Sequence, residues 1–404
     1  MQTTILFLTV QSLFCLLLGL PHLVTTRREN QLSSLQRVYL CDSFAVFQVA
    51  FQNSGTNSQK KVLDLPTDAT CPIWSPDGKY GLVTVGQIRP NNGITIPQAL
   101  YWFDIRSYKL KLLPVADLSL IEAAPKFVPG QSLQLAVAIG SVLYLYDEYG
   151  RYRQLAQAPD IICWLQVSPS GQWISVAYGL DSCGDGARFG KPVEIIHVKT
   201  GKSISIPTSP SEYRLENFTS RWRTKSDVMT YVALETKTKR LLLSEFNPAT
   251  LQNRIIVDSS ILTDSLSSTF IAIDPYLLTR SDGTAGVVNT SGEIKSIESI
   301  PVLGVGCRRT FAPHLAGLTV PLLAWVDQCP AQSFVGWFDI GTNTPTLVQT
   351  VSSGPILNSI SRDQQWIIFF SRNGQGYHAN ALHRRSRHFI DLGSFVPSHL
   401  AWSN

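Results

Sequence analysis

Charge is scarce in this sequence. Only 16% of its 404 residues are Asp, Glu, Lys or Arg, against about 25% in an average soluble domain. The net charge of +5 is spread thinly along the chain. A nucleic-acid binder carries a clustered basic face. The densest basic stretch here, "HRRSRH" at 383–388, sits between two predicted strands and reads as a solvated turn, so no nucleic-acid partner is expected. Helix-period patterns are missing from residue 35 onward, which excludes bundles and alternating α/β architectures. Cys-x-x-Cys pairs are missing too, although the chain holds 7 Cys. A structural metal site therefore lacks its usual ligand spacing, and no metal or cofactor is expected. What remains is 44% hydrophobic and 10% aromatic, a composition that can bury a large core.

One apolar run stands apart. "ILFLTVQSLFCLLLGL" at 5–20 is followed by Pro21, His22 and Arg27-Arg28. It lacks both the preceding basic residue and the small-x-small cleavage site of a clear secretory signal. A spanning helix of about 20 apolar residues would have to tolerate Gln11, Pro21 and His22. Residues 1–30 are read as a signal peptide or a signal-anchor segment, the only route of membrane association expected.

Residues 31–404 are read as one all-β domain, because short alternating strands and turns recur throughout. Aligning on "IWSPDGKYGLVTV" exposes a period. First-strand copies are "CPIWSP" (71–76), "APKFVP" (124–129), "CWLQVSP" (163–169), "NFTSRWR" (217–223), "TFIAIDP" (269–275), "GCRRTFAP" (306–313), "ILNSISR" (356–362) and "HLAWS" (399–403). Apolar second strands follow, such as "QWISVAYGL" (172–180) and "QWIIFFSR" (365–372). Third strands include "ALYWFDI" (99–105) and "FVGWFDI" (334–340), and fourth strands include "KLKLLP" (109–114) and "RHFIDL" (387–392). Units of about 40–55 residues match the period of four-stranded propeller blades. The opening segment 35–65 supplies strands two to four without a strand one, and "HLAWS" is a strand one without followers. Pairing the two closes a ring and removes free sheet edges. The expectation is a closed β-propeller of eight four-stranded blades, or seven if the 217–257 or 269–298 unit is misread.

"WSPDGKY" (74–80) and "VSPSGQW" (167–173) resemble the turn of the TolB-type, WD40-like propeller repeat, in which this turn joins the innermost strand to the second. Pro presets one turn dihedral and Gly relieves the other. The resemblance spans roughly residues 35–404 and implies an extracytoplasmic, periplasmic or cell-envelope setting more than an activity. TolB carries an additional α/β domain before its propeller, and here only the leader precedes the first strand. Peptidases with similar propellers carry a Gly-x-Ser-x-Gly elbow, which this sequence does not contain.

Six cysteines fall at strand ends. Cys71, Cys163 and Cys307 begin innermost strands, and Cys41, Cys183 and Cys329 lie at or beyond the ends of second strands. Neighbouring ends of antiparallel strands predict the disulfides Cys163–Cys183 and Cys307–Cys329, with Cys41–Cys71 joining the closing blade to its neighbour. Disulfides place the chain in an oxidising compartment.

Motifs for chemistry are weak. "DSCGDG" (181–186) opens like a calcium loop but has Pro192 where a bidentate Glu is needed. "VKTGKS" (198–203) reads as an ordinary strand connection, and His197, His378, His383 and His388 lack ligand spacing. Two functions compete: a noncatalytic scaffold for a protein or other ligand, and a lyase or hydrolase with its site at the propeller channel. The first is favoured because no set of acid, base and nucleophile converges in the sequence. Long connections, such as 86–97, 180–191, 115–123 and 208–216, all emerge on the face that carries the cysteines. Arg89, Asn91, Arg188, Tyr213, Arg308 and Arg309 are the residues expected to contact the partner there.

Overall fold

The computed structural model describes residues 35–402 apart from 89–94, 131–132, 180–182, 184–192, 207–212, 216–220, 224–225, 236, 239–240, 259–269, 272–275, 280–284, 289–293, 297–306, 312–321, 330–331, 340–343, 352–354, 362, 375 and 398–400. Strands dominate it, and a single 3-10 turn at Leu118–Leu120 is the one helical element among the described residues. The strands form eight antiparallel sheets, numbered here in chain order.

The first sheet holds Gln36–Cys41, Ala45–Gln52 and Gly55–Asp64, and Ala401–Trp402 adds to it as a fourth strand beside Gln36–Cys41. Val38 pairs with Trp402 and Tyr39 with Ala401. The second sheet runs Ile73–Trp74, Tyr80–Ile88, Thr95–Asp104, Lys109–Leu113, and the third runs Lys126–Val128, Gln134–Ile139, Val142–Asp147, Tyr152–Gln157. The fourth contains Ile162–Val167, Trp173–Tyr178, Val193–His197 and Ser203–Ser205. Sheets six to eight span 270–296, 308–351 and 356–394 in the same strand order.

The fifth sheet departs from the pattern. Its first strand is broken into Tyr213–Leu215 and Arg221–Trp222, which pair with opposite ends of Met229–Glu235. The sequence reading put 208–216 in a connection between units. Tyr213 instead pairs with Glu235 and so belongs to the inner strand side of this sheet.

Side-chain alternation explains how the sheets stack. Successive residues of a strand point to opposite faces, so in Gln36–Cys41 the side chains of Val38 and Leu40 pack on Trp366, Ile368 and Phe370 of the eighth sheet. Tyr39, between them, packs with Val83 and Phe103 of the second. Leu82, Leu100 and Trp102 turn the other way, onto Phe127, Leu135 and Val137 of the third. The same apposition continues from third to fourth sheet through Ala136, Leu145, Ile174 and Val176, and from fourth to fifth through Ile195, Trp222 and Tyr231. Sheets buried on both faces need near-continuous apolar strands, and "QLAVAI" and "WISVAY" are written that way.

Candidate functional site

The two ends of the sheets are built differently. At one end lie the connections from first to second strand and from third to fourth, and three of the former are short turns held by a repeated hydrogen-bond device. In "SPDGKY" the backbone N–H of Tyr80 donates to Ser75 Oγ at 3.0 Å and Gly78 N–H to Ser75 O at 2.9 Å. In "SPSGQW", Trp173 donates to Ser168 Oγ at 3.1 Å and Gly171 to Ser168 O at 2.9 Å. A third copy, at 361–366, was not singled out as a turn in the sequence: Trp366 donates to Ser361 Oγ and Gln364 to Ser361 O, both at 2.9 Å.

A second device closes the other short turn. The last residue of the third strand offers a side-chain acceptor to a later backbone N–H. Asp104 accepts from Arg106, Asp147 from Tyr149, His197 from Thr200, Asn247 from Ala249 and His383 from Ser386. The histidines are thus turn braces that also stack at 4.7 Å on Trp173 and Trp366. "VKTGKS" is one of these turns, with Gly201 N–H donating to His197 O. In "HRRSRH", His383 is buried (1% exposed) while Arg385, Arg387 and His388 are exposed. The solvated turn therefore starts one residue later than its sequence suggests.

Turns of adjacent sheets also interlock at this end. Gly171 adopts φ +75°, and a Cβ there would stand 1.8 Å from Pro129 O in the third sheet's corresponding turn. Ser170 N–H donates to Asp227 Oδ1 of the fifth sheet at 3.2 Å. These turns are tightly fitted against one another.

The opposite end carries the connections from second to third strand and between sheets, and the disulfides. Cys41 is bonded to Cys71, Cys163 to Cys183 and Cys307 to Cys329, the pairs that the strand ends predict. The second ties the first strand of the fourth sheet to the connection after its second strand, and the third joins neighbouring strand ends of the seventh sheet. The first ties sheet one to sheet two, a few residues from the Ala401–Trp402 strand. Described connections here expose apolar side chains: Phe44 is 78% exposed, Leu120 51%, Val396 38% and Ile161 37%. Beside Cys183, Tyr178 OH donates to Glu194 Oε1 at 3.3 Å and Ser203 Oγ donates to Oε2 at 2.8 Å. Burial, reinforced by the Glu194 carboxylate, pushes the Tyr178 phenol up to about 12, so it is a donor across the physiological range.

Of the six expected contact residues, Arg89, Asn91 and Arg188 lie outside the described residues, as does most of "DSCGDG". Tyr213 sits at the disulfide end of its strand by its pairing with Glu235. Arg308 and Arg309 pair with Gln328 and Asp327 and follow Cys307 directly, so the bond to Cys329 holds their strand at that same end. Among the described residues no group of three or more His, Cys, Asp or Glu is placed to hold a metal. Glu245, a buried carboxylate of the fifth sheet, has both oxygens engaged, with Arg223 at 3.1 Å and Arg254 at 2.6 Å.

Sheets of four antiparallel strands stacked face to face in chain order define a β-propeller protein. The comparison with protein-family models finds no match, and neither does the comparison with curated sequences. Among solved structures the chain is similar to dipeptidyl peptidase 4 of Porphyromonas gingivalis, with a TM-score of 0.58 and 10% identity over 88% of this chain and 57% of the peptidase. It thus spans little more than half of that protein's length. It also aligns with oligogalacturonate lyase from Vibrio parahaemolyticus (TM-score 0.45, 10% identity, 81% of this chain and 86% of that one) and with TolB from Acinetobacter baumannii (0.36, 12%, 82% and 81%). At such identities the likeness to the peptidase speaks to fold alone.

Proposed function

We propose that the chain is an exported, eight-bladed propeller whose disulfide-bearing face works as a noncatalytic scaffold, binding a protein partner. Closure of the ring is supported by the return of Ala401–Trp402 to the first sheet and by Trp402 Nε1–H, which donates at 3.0 Å to Ser359 Oγ in the eighth. Export is supported by the three disulfides, which persist in oxidising compartments, with residues 1–30 as the signal or anchor.

The observation that carries the binding assignment is the contrast between the two ends. One is filled by short, interlocked turns. The other carries all three disulfides and the exposed Phe44, Leu120, Ile161 and Val396. Exposed apolar side chains are what a protein interface needs at its centre. Covalent bracing lowers the conformational cost of holding such a face ready. Arg89, Asn91, Arg188, Tyr213, Arg308 and Arg309 would supply the polar contacts. Crosslinking the native envelope and recovering the partner tests this, with two grouped alanine variants: Phe44, Leu120, Ile161 and Val396, and the six polar residues. Recovery should fall in both. Undiminished recovery from folded variants, with loss on changing Lys79, Arg106 and Tyr149 of the opposite turns, would put the interface on the wrong end.

A further inference from the structure

The outer edge of the eighth sheet holds a chain of side chains that the scaffold reading does not use. Strand Gly376–His383 contributes His378, and the outermost strand Phe389–Ser394 contributes Asp391 and Ser394. His378 Nδ1 lies 3.2 Å from Asp391 Oδ2, and His378 Nε2 lies 3.2 Å from Ser394 Oγ. Asp391 and Ser394 are three apart, so in a regular strand they would face opposite sides. The register shifts between Ala379 and Asn380, where Asn380 opposes Asp391 while Ala379 opposes Gly393. Leu392 is the extra residue, and such a bulge re-aims the side chains around it. Gly393 takes φ +108° there, and its N–H donates to Asp391 Oδ1 at 2.8 Å. The bulge thus brings both side chains to one histidine and orients the carboxylate.

The tautomer follows from the network. A carboxylate can only accept, so Nδ1 carries the proton and donates to Asp391, which leaves the Nε2 lone pair facing the Ser394 hydroxyl. That is the protonation pattern a serine nucleophile requires of its base. Val396 N–H donates to Cys41 O, so the group sits at the margin of the disulfide-bearing face.

We propose that Ser394, His378 and Asp391 form an esterase site for small or extended acyl esters, at the margin of the partner-binding face. Ser394 Oγ adds to the ester carbonyl and its proton passes to His378 Nε2. The alcohol leaves with the proton from His378, and acyl-Ser394 remains. Water then cleaves the acyl-serine through the same base, giving one carboxylic acid and one alcohol per ester and water consumed. Asp391 is the positioning residue, and the open rim favours substrates that need no deep pocket.

The test treats the whole chain, disulfides intact, with a fluorophosphonate and maps the adduct, while p-nitrophenyl acetate reports turnover. The expected result is an adduct on Ser394 and a loss of at least about 100-fold in turnover in Ser394→Ala and His378→Gln, the scale of general-base catalysis. Asp391→Asn retains an oxygen for the Gly393 N–H, and so the bulge, but lets the histidine adopt the wrong tautomer. A comparable loss there, with unchanged circular dichroism, separates positioning from folding. Mapping uses the unaltered protein and does not depend on any variant folding. No adduct on Ser394, or labelling and turnover unchanged in His378→Gln, overturns the proposal.

Discussion

Replacing Gly171 by Ala asks whether neighbouring sheets interlock through their turns, and Gly140→Ala supplies the matched control. Both glycines have positive φ, +75° at 171 and +57° at 140, so alanine pays for a left-handed backbone at each, roughly 1–2 kcal/mol. They differ in what the new methyl meets. At 140 nothing lies within 4 Å, whereas at 171 the Cβ would fall 1.8 Å from Pro129 O and 2.9 Å from Pro129 C. Both contacts are backbone, so no rotamer change relieves them and one turn must move away from the other. Overpacking of this sort adds about 1–3 kcal/mol. We expect Gly140→Ala to cost about 1 kcal/mol and Gly171→Ala about 3 kcal/mol or more, read from urea midpoints at equal slope. Equal losses in the two variants would refute the interlock, leaving only the dihedral cost.

Three further outcomes are expected. Deleting 398–404 removes the Ala401–Trp402 strand and the Trp402–Ser359 bond, so the melting temperature should fall by several degrees; a truncated chain that melts like the intact one argues against closure. Burial holds the His383 imidazole below its usual range, against the pull of Asp363. Since its folded value lies under the unfolded 6.5, stability is intact above that pH and is lost as pH falls through the folded value. Asn braces the equivalent turn at 247, so His383→Asn should flatten stability as pH falls below about 6.5, and an unchanged acid limb would mean that another group controls it. Cys41→Ser with Cys71→Ser opens a loop of sequence separation 30 and should cost about 2–4 kcal/mol in chemical unfolding; a negligible change would show that the bond does not brace the joint between the first two sheets.

Much of this architecture was legible because its signals are local. A strand pair that starts or ends on cysteine announces its bond, and "SPDGKY" and "SPSGQW" announce their turns through Pro and Gly. The copy at 361–366 escaped notice because "SRDQQW" has neither: Gln364 takes φ +58°, held by Ser361 and Asp363. Its surviving signal was the serine five residues before a tryptophan, at 168 and 173 and again at 361 and 366. Tyr213 was assigned to a connection because a broken inner strand has no periodicity of its own. The Asp391–His378–Ser394 group was illegible for a different reason. It exists only because a bulge shifts register by one residue, and nothing in "HFIDLGSF" except its glycine marks that shift.

The return of Ala401–Trp402 to Gln36–Cys41 also sets an order of events during synthesis. Val38 leaves the ribosome about 360 residues before its partner Trp402, which at roughly 5–20 residues per second is a delay of roughly 20–70 s. Throughout that interval the first sheet presents an unpaired strand, the kind of edge that recruits other chains. Cys41 and Cys71 are both available early, and their bond can fasten the first sheet to the second long before the closing strand arrives. The disulfide nearest the seam would then act first as a temporary splint for a nascent chain, and only afterwards as a brace for the finished one.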